Sequence, residues 1–355
     1  MTDPVALWDA RADRAQAAVH QLYAADDPQY LHNWYPGFAG SDDTFNYWWL
    51  AHLIDARLDA FERTGDGRWL AQAVRARDNL VARNDGGLFN DYFDDMLWFA
   101  LASHRLAGVT GAAGHAADAV AVWEHVVAHG WNDAEGTSLA WRTQQLAYKN
   151  TPANGPLVIL SARLHADTGE DRYAHYARTA FDWITRTLVR PEDGFVEDGI
   201  NREGDHRVDT QWRFTYNQGL YVGAAVELAR LTGSDAYLDV ALRTARTAVA
   251  ELTDGDVFRP EGDDGDEGLF KGIYYRYLMT LLRVRPDPGL ADFVRRSTDV
   301  LWSVLPAGGP VLPANDWRHA PHRSLPYSTL LSAVMATEAR AELVGARRSG
   351  ARPVG

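Results

Sequence analysis

A chain of 355 residues with 46% hydrophobic content can bury a continuous core as one large domain or two average ones. Its 35 basic and 48 acidic side chains leave a net charge of -13, which repels phosphate backbones and anionic lipid head groups and argues against nucleic acid and membrane as partners. A neutral substrate suits this balance, and the absence of cysteine removes disulfides, thiolate metal sites and cysteine nucleophiles together.

The segment from Met1 to Ala10 lacks the basic head, apolar stretch and small-residue cleavage site of a secretory signal. No stretch reaches the roughly 18 consecutive apolar residues of a membrane span. The expectation is a soluble cytoplasmic monomer, or a secreted one if the start is incomplete.

In chain order, helices are expected at 5–24, 45–62, 67–83, 91–107, 114–128, 148–166, 171–189, 215–231, 235–252, 270–283, 288–304 and 325–343. Two kinds alternate. Those opening with Phe45–Ile54 and Tyr92–Leu101 are apolar nearly all round, as helices covered on both sides are. Those like Tyr173–Leu188 carry one stripe, Tyr173, Ala177, Ala180, Phe181, Ile184 and Leu188, with Arg178, Asp182 and Arg186 elsewhere. A short phrase recurs where the first kind gives way to the second: Thr64-Gly65, Thr110-Gly111, Thr168-Gly169 and Thr232-Gly233. Glycine supplies the left-handed residue that ends one helix, and a neighbouring Asp or Ser can cap the next.

Six one-sided helices covering six two-sided ones predict an all-α fold, a closed (α/α)6 barrel, with an open superhelix of repeats as the alternative. No linker divides the array, so a single domain over 1–346 with a loose tail at 347–355 is expected. Strand signals are confined to short pieces such as Gly194–Glu197.

The chemistry is expected at the starts of the two-sided helices. Asp91 reads as a helix cap, whereas Asp94 and Asp95 lie a turn further in, before a core-like run, where desolvation is costly without a role or a partner. Retaining glycoside hydrolysis needs two carboxylates about 5–5.5 Å apart, a gap that successive residues at a helix start can span. Close like charges also raise one pKa and keep one acid protonated. Thirteen tryptophans support a sugar groove, with Trp48, Trp49, Tyr92, Trp98, Trp141 and Trp212 near these helix starts, although an aromatic on a buried helix is more often core. Polar clusters opening the other apolar helices add Asn46, Asn150, Asn154, Tyr216, Asn217, Gln218 and Lys271 as substrate-binding candidates; capping is the competing account.

Other chemistries are weaker. His125 and His129 have the spacing of a helical metal site, but Glu124 precedes the first and no third ligand suggests itself, so neither metal nor cofactor is expected. The acidic segment between Asp254 and Glu267 lacks calcium-loop spacing.

Phe45-Asn46-Tyr47-Trp48-Trp49, the Asp94-Asp95 pair before Met96 and Trp98, Tyr148-Lys149-Asn150 with Asn154, Thr215-Tyr216-Asn217-Gln218-Gly219 and Phe270-Lys271-Gly272-Ile273 occur in an order that resembles glycoside hydrolase family 76, the α-1,6-mannanases. The resemblance implies an (α/α)6 barrel and endo-acting, retaining cleavage of α-1,6-linked mannan or mannooligosaccharides. It further implies Asp94 as nucleophile, Asp95 as general acid/base, and Asp198 as a further acid that holds sugar hydroxyls. Family members are often exported, and the missing signal puts polymeric mannan in doubt as this chain's substrate. A sugar epimerase or isomerase, for which His52 is the candidate base, and a non-catalytic glycan-binding protein are the alternatives.

Overall fold

The computed structural model describes residues 3–262 and 265–349. Twelve helices occur among them: α1 (Pro4–Tyr23), α2 (Tyr47–Thr64), α3 (Gly67–Arg83), α4 (Phe93–Thr110), α5 (Ala113–Gly130), α6 (Thr151–Thr168), α7 (Asp171–Thr187), α8 (Thr215–Thr232), α9 (Ala236–Leu252), α10 (Glu267–Val284), α11 (Pro288–Val304) and α12 (Tyr327–Ser349). Each falls on an expected element. Eight short strands accompany them: β1 (Trp34–Tyr35), β2 (Trp131–Asn132), β3 (Ser138–Arg142), β4 (Gln145–Asn150), β5 (Gly199–Ile200), β6 (Thr253–Asp254), β7 (Val257–Phe258) and β8 (Leu325–Pro326).

Two compact units result, one from Asn84 to Glu251 and one from the chain up to Arg83 and from Leu252 onward. In the Asn84–Glu251 unit α4 packs on α5 and α6, and α6 also packs on α7 and α8. In the other unit α12 packs on α1, α2, α10 and α11, while α3 lies against α2. The expected two kinds of helix are evident in burial. Outer helix α3 buries only the stripe Trp69, Ala73, Ala76 and Leu80, whereas inner helix α6 is buried without a break from Thr151 to Ala162. The predicted stripe of α7 is buried in full, its last member Leu188 serving as C-cap.

The recurring Thr-Gly phrase closes α2, α4, α6 and α8. Gly65, Gly111, Gly169 and Gly233 adopt φ between 67 and 73° as left-handed C-caps. Threonine has its own part in each copy. The Thr168 hydroxyl donates to the carbonyl of Leu164 at 2.8 Å and accepts the amide of Glu170 at 3.2 Å, bonding across the chain reversal; Thr64, Thr110 and Thr232 repeat the arrangement.

Three expectations are corrected. Residues 148–150 do not begin α6 but form the end of β4, within a sheet of order β2-β3-β4-β5. Asp91 does not cap α4: the N-cap is Tyr92, and the Asp91 carboxylate accepts the Thr143 hydroxyl at 3.1 Å. Helix α12 continues through residues 347–349, and the rest of the expected tail lies outside the described residues. No helix among the described residues is long and apolar enough to cross a membrane.

A β-carbon added at Gly169 would meet nothing within 4 Å, so Gly169→Ala carries only the conformational penalty, an expected loss of about 1 kcal/mol in urea unfolding. At Gly155, inside α6, the same atom would stand 2.8 Å from Leu220 on α8, and Gly155→Ala is expected to cost clearly more in the same measurement.

Candidate active site

Within the Asn84–Glu251 unit the acid pair occupies the first turn of α4. Tyr92 at the N-cap has no side-chain oxygen in reach of the helix amides, so Asp94 takes that role itself: its Oδ1 accepts the Asp95 amide at 3.0 Å. Its Oδ2 accepts the Trp141 indole N–H at 3.0 Å. Asp94 is buried and Asp95 half-buried. Burial pushes the Asp94 carboxyl up to about 7; the amide and indole donors act against that rise, and the charge of Asp198 adds to it.

The hairpin β3–β4 delivers Trp141. Arg142 bridges to Tyr92 in antiparallel fashion, and its guanidinium lies 4.5 Å from the Trp141 ring centre and 3.3 Å from the Tyr92 hydroxyl. Lys149, fully buried, fastens the hairpin base by donating to the carbonyls of Ser138 at 2.6 Å and Asn132 at 2.8 Å. The low-dielectric surroundings push its pKa down to about 7. Asn154 completes the fastening: its oxygen accepts the Leu139 amide, and its nitrogen donates to the carbonyls of Leu139 and Asn150.

Next to this lies a second acid. Asp198 Oδ1 accepts from Asn217 at 2.9 Å and from the Tyr216 hydroxyl at 3.2 Å, while Oδ2 accepts from the Tyr148 hydroxyl at 3.0 Å and from Arg202 at 2.5 Å. Arg202 also donates to Asp209 at 2.9 Å, and the Tyr148 hydroxyl stands 3.1 Å from that same carboxylate. Burial raises the Asp198 pKa and Arg202 opposes the rise. Burial, then the Asp198 charge, holds the Tyr216 phenol well above its ordinary value, so it remains a donor. The site depends on close approach at Gly199, where a β-carbon would sit 2.5 Å from the Tyr148 hydroxyl.

Of the expected site residues, the structure brings Tyr92, Asp94, Asp95, Asp198, Tyr216 and Asn217 into this cluster. Three others serve the backbone. Asn150 caps α6 through the Ala153 amide, Asn154 holds β3, and Gln218 clamps Val196 through both its amide and its carbonyl. Asn46, Trp48 and Lys271 belong to the other unit. Asn46 is the N-cap of α2 without a side-chain cap bond, and the Trp48 and Trp49 indoles both donate to Asp266 Oδ1, at 3.1 and 2.8 Å. Lys271 is buried and donates to the Asn315 carbonyl at 2.5 Å. Arg202, Asp209 and Arg142 were not anticipated. His125 stacks on Phe89 at 3.9 Å, and no group of three side chains suited to a metal ion occurs among the described residues. His52 is buried, and desolvation pushes its imidazole down to about 3.

Alternating helices that present two successive acids beside aromatic rings fit the class of helical glycoside hydrolases. Residues 7–298 match the family model "Glycosyl hydrolase family 76", and the chain belongs to that family. The Lin0763 protein of Listeria innocua is 44% identical, with a TM-score of 0.93 over 95% of this chain and 97% of its own. An inactive variant of the α-1,6-mannanase GH76A of Salegentibacter sp. HEL1_6, with two consecutive aspartates replaced by asparagine and solved in complex with α-1,6-mannotriose, is 33% identical, with a TM-score of 0.88 over 95% of this chain and 99% of its own. The mannan endo-1,6-alpha-mannosidase DCW1 of Saccharomyces cerevisiae is 26% identical over 44% of this chain, and the match spans 37% of that relative's length. The fold class is the family's all-α (α/α)6 barrel.

Because the folded-state pKa of Asp94 lies above its ordinary value of 3.8, folding favours the protonated acid. That stability is complete at low pH and is lost as pH rises through about 7. Between about pH 4 and pH 8 the parent is therefore expected to lose on the order of 2 kcal/mol more stability than Asp94→Asn does, in denaturant unfolding at both values.

Proposed function

We propose that this chain hydrolyses α-1,6-mannosidic bonds within mannan or mannooligosaccharides with retention of configuration, Asp94 acting as nucleophile and Asp95 as general acid/base. The supporting observation is the setting of Asp94. Each of its oxygens accepts from a group that can only donate, which fixes the carboxylate as an acceptor in one orientation, and the helix N-terminus favours its anion. Asp95 follows in the same turn, half-buried and so within reach of solvent.

In the first step Asp94 attacks the anomeric carbon while Asp95 gives its proton to the departing O6 of the next sugar, and the glycosidic C–O bond breaks. The product sugar leaves and a mannosyl ester on Asp94 remains. Asp95, now a carboxylate, takes a proton from water as the water oxygen attacks the same carbon and releases Asp94. Two displacements on one carbon restore the α configuration. Support for the substrate comes from the family relatives, one of which is named an α-1,6-mannanase and holds α-1,6-mannotriose. Endo action is proposed on the same footing, from the relatives named mannan endo-1,6-alpha-mannosidase.

Incubation with reduced linear α-1,6-mannooligosaccharides, followed by mass and by NMR of the new anomeric centre, is expected to give shorter products that first appear as α anomers. No cleavage of any α-mannoside ends the proposal; initial β anomers end the retaining mechanism. The acid and nucleophile are told apart by azide with an activated aryl α-mannoside. Asp95→Ala is expected to lose about 10²–10⁴-fold on the oligosaccharide and to form α-mannosyl azide, whereas Asp94→Ala forms the β-azide.

The pH profile tests the same assignment. A nucleophile must be ionised, so kcat/KM is expected to rise with pH along an acid limb near 7, the value to which burial brings Asp94. Activity that instead falls as pH rises through that value would make Asp94 the proton donor.

A further inference from the structure

Arg202 is held more firmly than one ion pair requires. Its Nη2 meets Asp198 at 2.5 Å, its Nε meets Asp209 at 2.9 Å, and its plane lies 4.5 Å from the Tyr148 ring centre. Both carboxylates are buried, with Asp198 at 2% exposure and Asp209 at 6%. Trp212 also meets the guanidinium, its ring centre 4.9 Å away, and Phe214 lies 5.6 Å from the Trp212 ring. Trp212 keeps 38% of its surface exposed, although its charged neighbour is already fixed by two acids and a tyrosine and does not need an indole to hold it.

We propose that Trp212, seated on the Arg202 guanidinium, is a stacking platform for a pyranose ring of the substrate, a subsite removed from the point of cleavage. This rests on the glycosidase reading above and adds a specificity residue to it. A large aromatic left in water has a free apolar face and a polar edge, and the C–H face of a mannose unit offers the matching apolar surface. Preorganisation strengthens the case. With Arg202 tied to Asp198 and Asp209, the indole rests on a rigid base and little freedom is lost when a sugar docks. Trp212 connects to the acids through Arg202 and Asp198 and through Phe214 and Tyr216, and a stacking contact made by an outlying sugar contributes uniform binding energy that acts on longer chains. An α-1,6-linked chain has an extra rotatable bond at each linkage, which makes a flat, non-directional contact more suitable than a set of fixed hydrogen bonds.

The experiment compares the parent protein with Trp212→Ala and Trp212→Phe on α-1,6-mannooligosaccharides of increasing length. Trp212→Ala is expected to raise KM roughly tenfold on the longest chains, with a much smaller change on the shortest chain cleaved, and Trp212→Phe to recover most of the loss. Titration calorimetry of the same ligands into Asp94→Asn, alone and combined with Trp212→Ala, gives a readout that does not require turnover. A length-dependent loss of affinity there upholds the platform even if no hydrolysis is found. Equal affinity at every length with and without the indole, or a loss confined to kcat, overturns it; a thermal melt of each variant separates either result from unfolding.

Discussion

A carboxylate in the first turn of a helix that is otherwise core is the constraint on which the Asn84–Glu251 unit is organised. Removal of Asp94 from water lifts its pKa to about 7, and the donors opposing that rise are an amide of the same turn and one indole N–H. The indole comes from the hairpin β3–β4, which is why a helical protein carries a sheet at this point. Lys149 and Asn154 spend nearly all their hydrogen-bonding capacity on the backbone of that hairpin. The position of a single tryptophan beside Asp94 is thus fixed by buried polar groups on the hairpin and on α6.

Asp198 is a second buried acid in the same unit, and it has more donors. Four donors surround it, one of them a guanidinium, against two for Asp94. Burial still raises the Asp198 pKa against the pull of Arg202 and its other donors, while Asp94 is carried up to about 7. Two acids whose environments are this different can have different roles at one pH. Asp198 accepts four protein hydrogen bonds and through them holds Tyr148, Arg202, Tyr216 and Asn217 in place.

The helices were legible because their signals are local and repeated. Thr168-Gly169 announces a left-handed cap whatever surrounds it, and the stripe Tyr173, Ala177, Ala180, Phe181, Ile184 specifies an outer face without reference to its neighbours. The sheet was not legible, since β3 and β4 bury runs of residues rather than alternate ones and so lack the period-2 pattern of a strand. Asn150, Asn154 and Gln218 were singled out correctly as polar groups too costly to bury without partners. A sequence does not say whether such a partner is a sugar or a carbonyl, and here it is the backbone. Arg202 and Asp209 sit in an irregular segment with no periodicity, and only their meeting at Asp198 gives them meaning.

The inner helices of this unit also divide their two ends between different tasks. Their C-termini carry the Thr-Gly turn, a self-contained motif that satisfies the last carbonyls and the next amides with one hydroxyl and one glycine. Their N-termini gather the buried acids and their donors: Asp94 in the first turn of α4, the Thr151 amide of α6 donating to the Asp198 carbonyl at 2.8 Å, and Tyr216 and Asn217 of α8 donating to the Asp198 carboxylate. The placement follows from the helix itself, whose first amides lack internal partners and whose dipole is positive at that end. That end of the helix offsets part of the desolvation that burial imposes on the Asp94 anion. A lysine or arginine on that carboxylate would hold it ionised well below neutrality, whereas amides and an indole leave it near 7, so the choice of neutral donors is what keeps Asp94 able to change its protonation state at physiological pH.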